Sequence, residues 1–235
     1  MKSIVRIAAL AALSLSLATP ASAHHIWIEV DGQGAKVYFG EFGENLREAS
    51  PGSLDKLSPQ AKVVSSAGER ALTLQKSANA YAASGKIDGP DSIVAEDVRW
   101  PSFERKRDNK RGIYMPAARF VPDRTARPAV LTLDVVPTGG DKFQVVYKGK
   151  PLAKAKVEVR TPSGWGREEQ TGDDGAFEVK LPWRGTYVFE VQHTDNDAGK
   201  RGDEAYDFAN YVTSLTVVQP QGIEPLPAAA PAKPH

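Results

Sequence analysis

Thr171-Gly172-Asp173-Asp174-Gly175-Ala176-Phe177 reads as a tight turn set between two strands. Asp-Gly places a short polar residue and a glycine where the backbone needs positive φ, the condition for the tightest strand connections. The stretches around it alternate with period two. Val157 and Val159 precede it; Tyr187, Phe189, Val191 and His193 follow it on one face of a later strand. Gly149-Lys150-Pro151 opens another turn upstream, and Leu181-Pro182 and Gly185-Thr186 punctuate the chain downstream.

The same period runs through the rest of the chain. Ile26, Ile28 and Val30 alternate with Trp27 and Glu29, and Val37 and Phe39 flank Tyr38. Ala71 to Gln75 reads as a short strand, and Leu131, Leu133 and Val135 mark another. Helical periodicity is scarce, with Ser53 to Leu57 the one candidate for a helical turn. Seventeen Pro and 20 Gly serve as punctuation. The class expected is all-β, with two β-sandwich units, Ig-like or prealbumin-like, at 24–127 and 128–218. The 149–187 pattern resembles the carboxypeptidase-regulatory-like, or prealbumin-like, domain. Residues 219–235 carry Pro220, Pro225, Pro227, Pro231 and Pro234 with four alanines, and read as a disordered, polyproline-leaning tail. His235 at its end is expected to have no ligand role, because a floating residue bears the whole entropy of ordering.

Residues 1–23 have the parts of an export signal: Lys2 and Arg6, an apolar run from Ile7 to Ala18, and small residues Ala21 and Ala23 at the cut. The apolar run is too short for a stable anchor. The expected destination is the periplasm. Removing Lys2 and Arg6 leaves 28 basic against 29 acidic side chains, a net charge of about −1. That balance gives no reason to expect a nucleic-acid partner. The chain has no Cys, so disulfides, thiolate metal sites and cysteine nucleophiles are excluded. No Gly-x-Ser-x-Gly elbow supports a hydrolase triad, and an enzyme is not expected.

Cleavage after Ala23 makes His24 the first mature residue. Its α-amine and Nδ1 can close a six-membered chelate ring on a metal ion. The amine's intrinsic pKa of about 7.7–8.0 makes its deprotonation on binding easy at neutral pH. Such nitrogens suit Cu(II), Ni(II) and Zn(II) rather than Mg or Ca. Strand alternation puts His24 with Ile26 and Ile28 on the expected core face, and His25 with Trp27 and Glu29 on the other. The two imidazoles are therefore not expected to share one ion, although a flexible terminus would let His25 bind through its own imidazole. His193, at the core side of a strand end, is the best further ligand, with Asp195 beside it. Trp27 reads as packing, and Glu29 and Glu41 as solvent-facing. Arg105 to Arg111 reads as a solvated loop tip, with an acidic docking partner or anionic lipid as the functional alternative.

Three segments, Ala23 to Glu29, Tyr38 to Glu48 followed by Ser50 to Leu57, and Val191 to Asp195, resemble a family of exported bacterial proteins of unassigned function linked to nickel/cobalt uptake systems. The resemblance implies a periplasmic accessory that captures a transition-metal ion for a membrane transporter complex. It places His24 at the family's leading His and His193 in its His-Thr-Asp stretch. Ni(II) or Co(II) is the cargo it implies, with Cu(II) and Zn(II) chemically as apt. Two alternatives stay open: a copper protein or copper oxidase of the N-terminal His-brace type, and a metal-free envelope scaffold or adhesion protein.

Overall fold

The computed structural model describes residues 24–32, 34–84 and 91–235; the export signal expected at 1–23 lies outside them. The architecture is all-β. The strands of the first part are β1 (His25–Asp31), β2 (Gly34–Glu41), β3 (Leu46–Arg47), β4 (Gln60–Ser65), β5 (Gly68–Leu72), β6 (Leu74–Lys76), β7 (Tyr81–Ser84), β8 (Ser92–Glu96), β9 (Phe103–Arg105) and β10 (Lys110–Val121). Those of the second part are β11 (Leu133–Gly139), β12 (Lys142–Tyr147), β13 (Lys150–Pro151), β14 (Lys156–Arg160), β15 (Gly166–Gln170), β16 (Ala176–Glu178), β17 (Gly185–Asp195), β18 (Gly199–Arg201), β19 (Glu204–Tyr206) and β20 (Phe208–Gln219). Two short 3-10 turns, Phe42–Glu44 and Ser53–Lys56, are the helical segments among the described residues.

The two expected units are not separate sandwiches side by side. They share one nine-stranded sheet, ordered β15-β14-β17-β20-β10-β8-β4-β5 with β9 on β10. The join is a parallel pairing of β10 with β20 over ten residue pairs, from Gly112 with Phe208 to Val121 with Val217. A sheet of β1, β2, β7, β6 and β3 covers one face, and a sheet of β11, β12, β13 and β16 covers the other side of the second part.

Alternation along β17 and β20 sorts the cores. Phe189, Val191, Leu215 and Val217 enter a core with Val135, Phe143 and Phe177. Val188 faces the opposite way, onto Trp27, Tyr38 and Phe42. Ile26 and Ile28 pack with Ile93, Ala95, Ala118 and Phe120 in a third cluster. β1 thus lies over the seam between the halves of the shared sheet. Ile26 and Ile28 go to β8 and β10, while His25 and Trp27 go to β17. The buried Ser214 hydroxyl donates to the Ile26 carbonyl at 2.6 Å. Alternation predicts a single core face for β1; Ile26, Trp27 and Ile28 are all fully buried instead. Each such burial contributes about 1.5–3 kcal/mol, so the strand carrying His24 at its start is firmly held.

Two local readings change. The stretch Ala71 to Gln75 is broken at Thr73, and its halves, β5 and β6, belong to different sheets. The Asp174-Gly175 turn exists, with the Gly175 N–H donating to the Gly172 carbonyl at 3.0 Å and Gly175 at φ 71°. It passes the chain from β15 to β16 in another sheet rather than closing a hairpin. A Cβ at Gly175 would lie 2.7 Å from the Val145 carbonyl oxygen, so glycine is required twice over.

Beyond Gln219 the tail has no strand, as its proline content dictates. It nevertheless follows a fixed course over the surface. Ile223 bridges Trp183, and the Ala229 N–H donates to Pro162. The basic stretch 105–111 is a hairpin tip between β9 and β10, where Arg105 pairs with Asp108 at 2.7 Å and lies over Phe208.

Candidate functional site

His24 sits one residue before β1, so the pairing of His25 with Gly40 brings it alongside the end of β2. The buried Tyr114 hydroxyl donates to the His24 carbonyl at 2.5 Å. Burial holds that phenol well above its ordinary pKa, which keeps it a neutral donor. The His24 ring packs on Phe39, which packs on Trp100.

The β2–β3 hairpin supplies the acids. β2 ends at Glu41; the Phe42–Glu44 turn and Asn45, in the left-handed region at φ 50°, reverse the chain into β3. Gly40 opposes Arg47 and Glu41 opposes Leu46. This close return needs Gly40, at φ 143°, because a Cβ there would lie 2.3 Å from the Leu46 carbonyl oxygen. Glu41 and Glu48 emerge at one end of the hairpin, and the Glu48 N–H donates to the Phe39 carbonyl at 2.8 Å. Glu48 is fully buried. Its Oε1 lies 2.5 Å from His24 Nε2, while Glu41 Oε1 lies 3.4 Å from His24 Nδ1.

His235 closes the group. Its Nδ1 is 2.9 Å from the same Oε1 of Glu48, and its backbone N–H donates to Oε2 at 3.0 Å. Its ring stands 5.3 Å from that of His24. Burial alone would raise the Glu48 pKa. The hydrogen bonds from His235 and His24 outweigh it and hold the carboxyl below its ordinary value. A donor atom from each of His24, Glu48 and His235 lies within 4.8 Å of the others. Zn–N and Zn–O bonds of about 2.0–2.2 Å put two ligands on one ion roughly 3–4 Å apart. The contacts at Glu48 Oε1, 2.5 Å to His24 and 2.9 Å to His235, are hydrogen bonds shorter than this, so an ion entering here has to displace the imidazole protons and spread the three side chains apart.

His235, expected to end a floating tail, instead lies against Glu48. The tail is not floating, because anchors along its length share the ordering entropy. Glu41 is likewise not simply solvent-facing. Glu48 escaped notice although it closes the Tyr38–Glu48 segment. The signal available was the Gly-Glu-Asn turn, which sets residues 41 and 48 at one hairpin end.

His193 and Asp195 are not brought to His24. On β17 the side chains of Phe189, Val191 and His193 face one side, and Val188 and Glu190 the other, toward β1. His193 therefore lies across the shared sheet from His24, its ring 4.4 Å from that of Tyr147. Burial lowers its pKa. Asp195 accepts from Lys148 at 2.7 Å, from Tyr147 at 2.5 Å and from the Asp197 N–H at 2.9 Å. Lys148 first, then Tyr147, hold that carboxyl well below the usual range. His25 is buried, with Nδ1 2.9 Å from Glu190 Oε2, and its ring lies beside Trp27. It points away from His24 as alternation requires. Burial would raise the Glu190 pKa, but His25 lowers it below the ordinary value.

Residues 127–195 match the model of a family described as a domain of unknown function (DUF4198). The match covers less than a third of the chain, from the linker before β11 to the last residue of β17. It includes His193 and Asp195 and leaves out His24, Glu48 and His235. No curated protein and no solved structure matches the chain.

Proposed function

We propose that this is an exported, periplasmic transition-metal-binding accessory protein. It captures Ni(II) or Co(II), or the chemically similar Cu(II) or Zn(II), and passes the ion to a membrane transporter complex. Its work is capture and release, not catalysis. The observation that carries the reading is the group His24, Glu48 and His235, two imidazoles on one buried carboxylate. Imidazole nitrogen with a single carboxylate suits these ions better than Mg or Ca, which prefer all-oxygen sites. The export-signal pattern read in residues 1–23 supports the location, and the resemblance to nickel/cobalt-linked proteins supports the cargo and the partner.

The two nitrogens of His24 face different acids. An ion chelated by the mature α-amine and Nδ1 has Glu41 beside it, with Glu48 orienting the ring through Nε2, the usual outer arrangement for a ligating histidine. An ion on Nε2 has Glu48 and His235 as its other ligands. The second seat assembles three side-chain donors and is the one favoured.

The test is calorimetric titration of Ni(II), Cu(II) and Zn(II) into protein beginning at His24. Two variants accompany it, one with an extra Met before His24 and one with His235→Ala. The favoured seat predicts tight binding that His235→Ala weakens and the extra Met largely spares. The reverse pattern moves the ion to the amine. No binding of any of the three ions overturns the reading and leaves a metal-free envelope scaffold in front.

A further inference from the structure

The tail reaches Glu48 by a series of small attachments. The Ile223 N–H donates to the Pro182 carbonyl and the Arg184 N–H to the Ile223 carbonyl, both at 2.9 Å. Arg184 pairs with Glu224 at 2.7 Å. The Ala229 N–H donates to Pro162 at 2.8 Å, and Asn45 Nδ2 donates to the Ala229 carbonyl at 2.6 Å. The Ala232 N–H donates to the Asn45 carbonyl at 3.3 Å. Between these points the tail is exposed, with little buried apolar surface to hold it. Its five prolines restrict it to extended conformations, which lowers the entropy lost on docking.

A segment so lightly attached along its length, yet ending on a fully buried carboxylate beside His24, is suited to reversible closure. We propose that residues 220–235 form a strap that an ion at His24 and Glu48 fastens through His235. Ion release and strap release are then one event, and a partner that peels the tail off the surface discharges the ion. This rests on the metal-binding reading above and adds to it a mechanism of retention and delivery.

Linkage makes the proposal quantitative. If the docked strap raises ion affinity by some factor, the ion must raise strap docking by the same factor. Couplings of this kind are typically about 5–150-fold. Asn45 offers a way to loosen the strap without touching a ligand. Asn45→Gly keeps the left-handed backbone conformation that the turn requires and deletes the side-chain bond to Ala229, together with the bond that Arg47 donates to the Asn45 side chain within the hairpin.

The experiment is hydrogen exchange of protein beginning at His24, with and without saturating Ni(II), read at the amides of Ile223, Ala229, Ala232 and His235. Ni(II) affinity is measured in parallel for this protein, for Asn45→Gly, for His235→Ala and for a chain ending at Gln219. Ni(II) is expected to slow exchange in 221–235, and the slowing to vanish in His235→Ala although that variant still binds the ion at His24 and Glu48. The affinity lost on removing the tail should equal the slowing factor, and Asn45→Gly should show a smaller, matched loss of both. Ni(II) binding that leaves tail exchange unchanged overturns the strap and leaves the metal-binding reading intact. Failure of Ni(II), Cu(II) and Zn(II) alike to bind overturns both.

Discussion

Two histidine–carboxylate groups lie on opposite sides of the shared sheet, and they differ in what their acids already hold. Asp195 is engaged by a lysine, a tyrosine and a backbone amide, with Lys148 half-exposed beside it. Glu48 is buried and is engaged by two imidazoles and one amide. A lysine ammonium keeps its proton at neutral pH, so its carboxylate partner stays occupied. An imidazole gives up its proton near neutrality and can turn the same nitrogen to a metal. Proximity of a histidine to an acid is therefore a poor guide to a metal site until the acid's other partners are known.

Glu48→Gln is the sharpest way to break this contrast. It keeps the side chain's size and removes the charge between the two imidazoles. Ni(II) affinity should fall by more than the roughly 10–100-fold that loss of an outer-shell partner causes. Calorimetry on folded, monodisperse variant decides it, and unchanged affinity would place the ion elsewhere. Gly40→Ala attacks the same site through the backbone. The new Cβ meets the Leu46 carbonyl, so the hairpin must open at a cost of about 1–3 kcal/mol. Melting temperature and Ni(II) affinity should fall together, because Glu41 and Glu48 move with the strands.

The other side of the sheet should behave differently. Folding depresses the Asp195 carboxyl, so its ion pair contributes stability above the unfolded pKa of about 3.9 and loses it as pH falls below that value. Asp195→Asn should leave Ni(II) affinity unchanged and shrink the fall in melting temperature between neutral pH and the acid range. A melting curve whose acid limb is unaltered by the substitution would remove Asp195 from the stability argument. His193→Ala should have the smallest effect, about 0.5–1.5 kcal/mol from its ring contact with Tyr147. Chemical denaturation measures that loss, and a drop in Ni(II) affinity on the same variant would erase the distinction between the two groups.

Much of the fold was legible because strand alternation is a local code. Val157, Val159, Phe189 and Val191 all enter the core that their spacing indicates. The burial of Trp27 was not legible, because its neighbour Val188 is 161 positions away and on the other unit. His24 was legible as a candidate from its place before a strand and after a small-residue cut. Glu48 and His235 were not, since what joins them is a hairpin return and a tail that doubles back over Pro182, Pro162 and Asn45. Proline content correctly denies the tail a strand, but composition does not say where an irregular segment lies down. The pairing of His193 with His24 failed for a reason visible only in three dimensions: alternation on β17 sends residues 190 and 193 to opposite faces of a sheet that both units share.

The parallel pairing of β10 with β20 also sets an order of events for the growing chain. β10 is complete by Val121, but the strand that covers its edge begins at Phe208. Nearly ninety residues must be made before that edge can be sealed. Until then β10 presents a row of unmet amides and carbonyls at the edge of a half-built sheet of β5, β4, β8, β9 and β10, the kind of edge that recruits other chains. Long-range parallel pairing is also slow to form. A holding chaperone has its natural target here, and a chain cut short before residue 208 is left with a permanent docking edge for copies of itself.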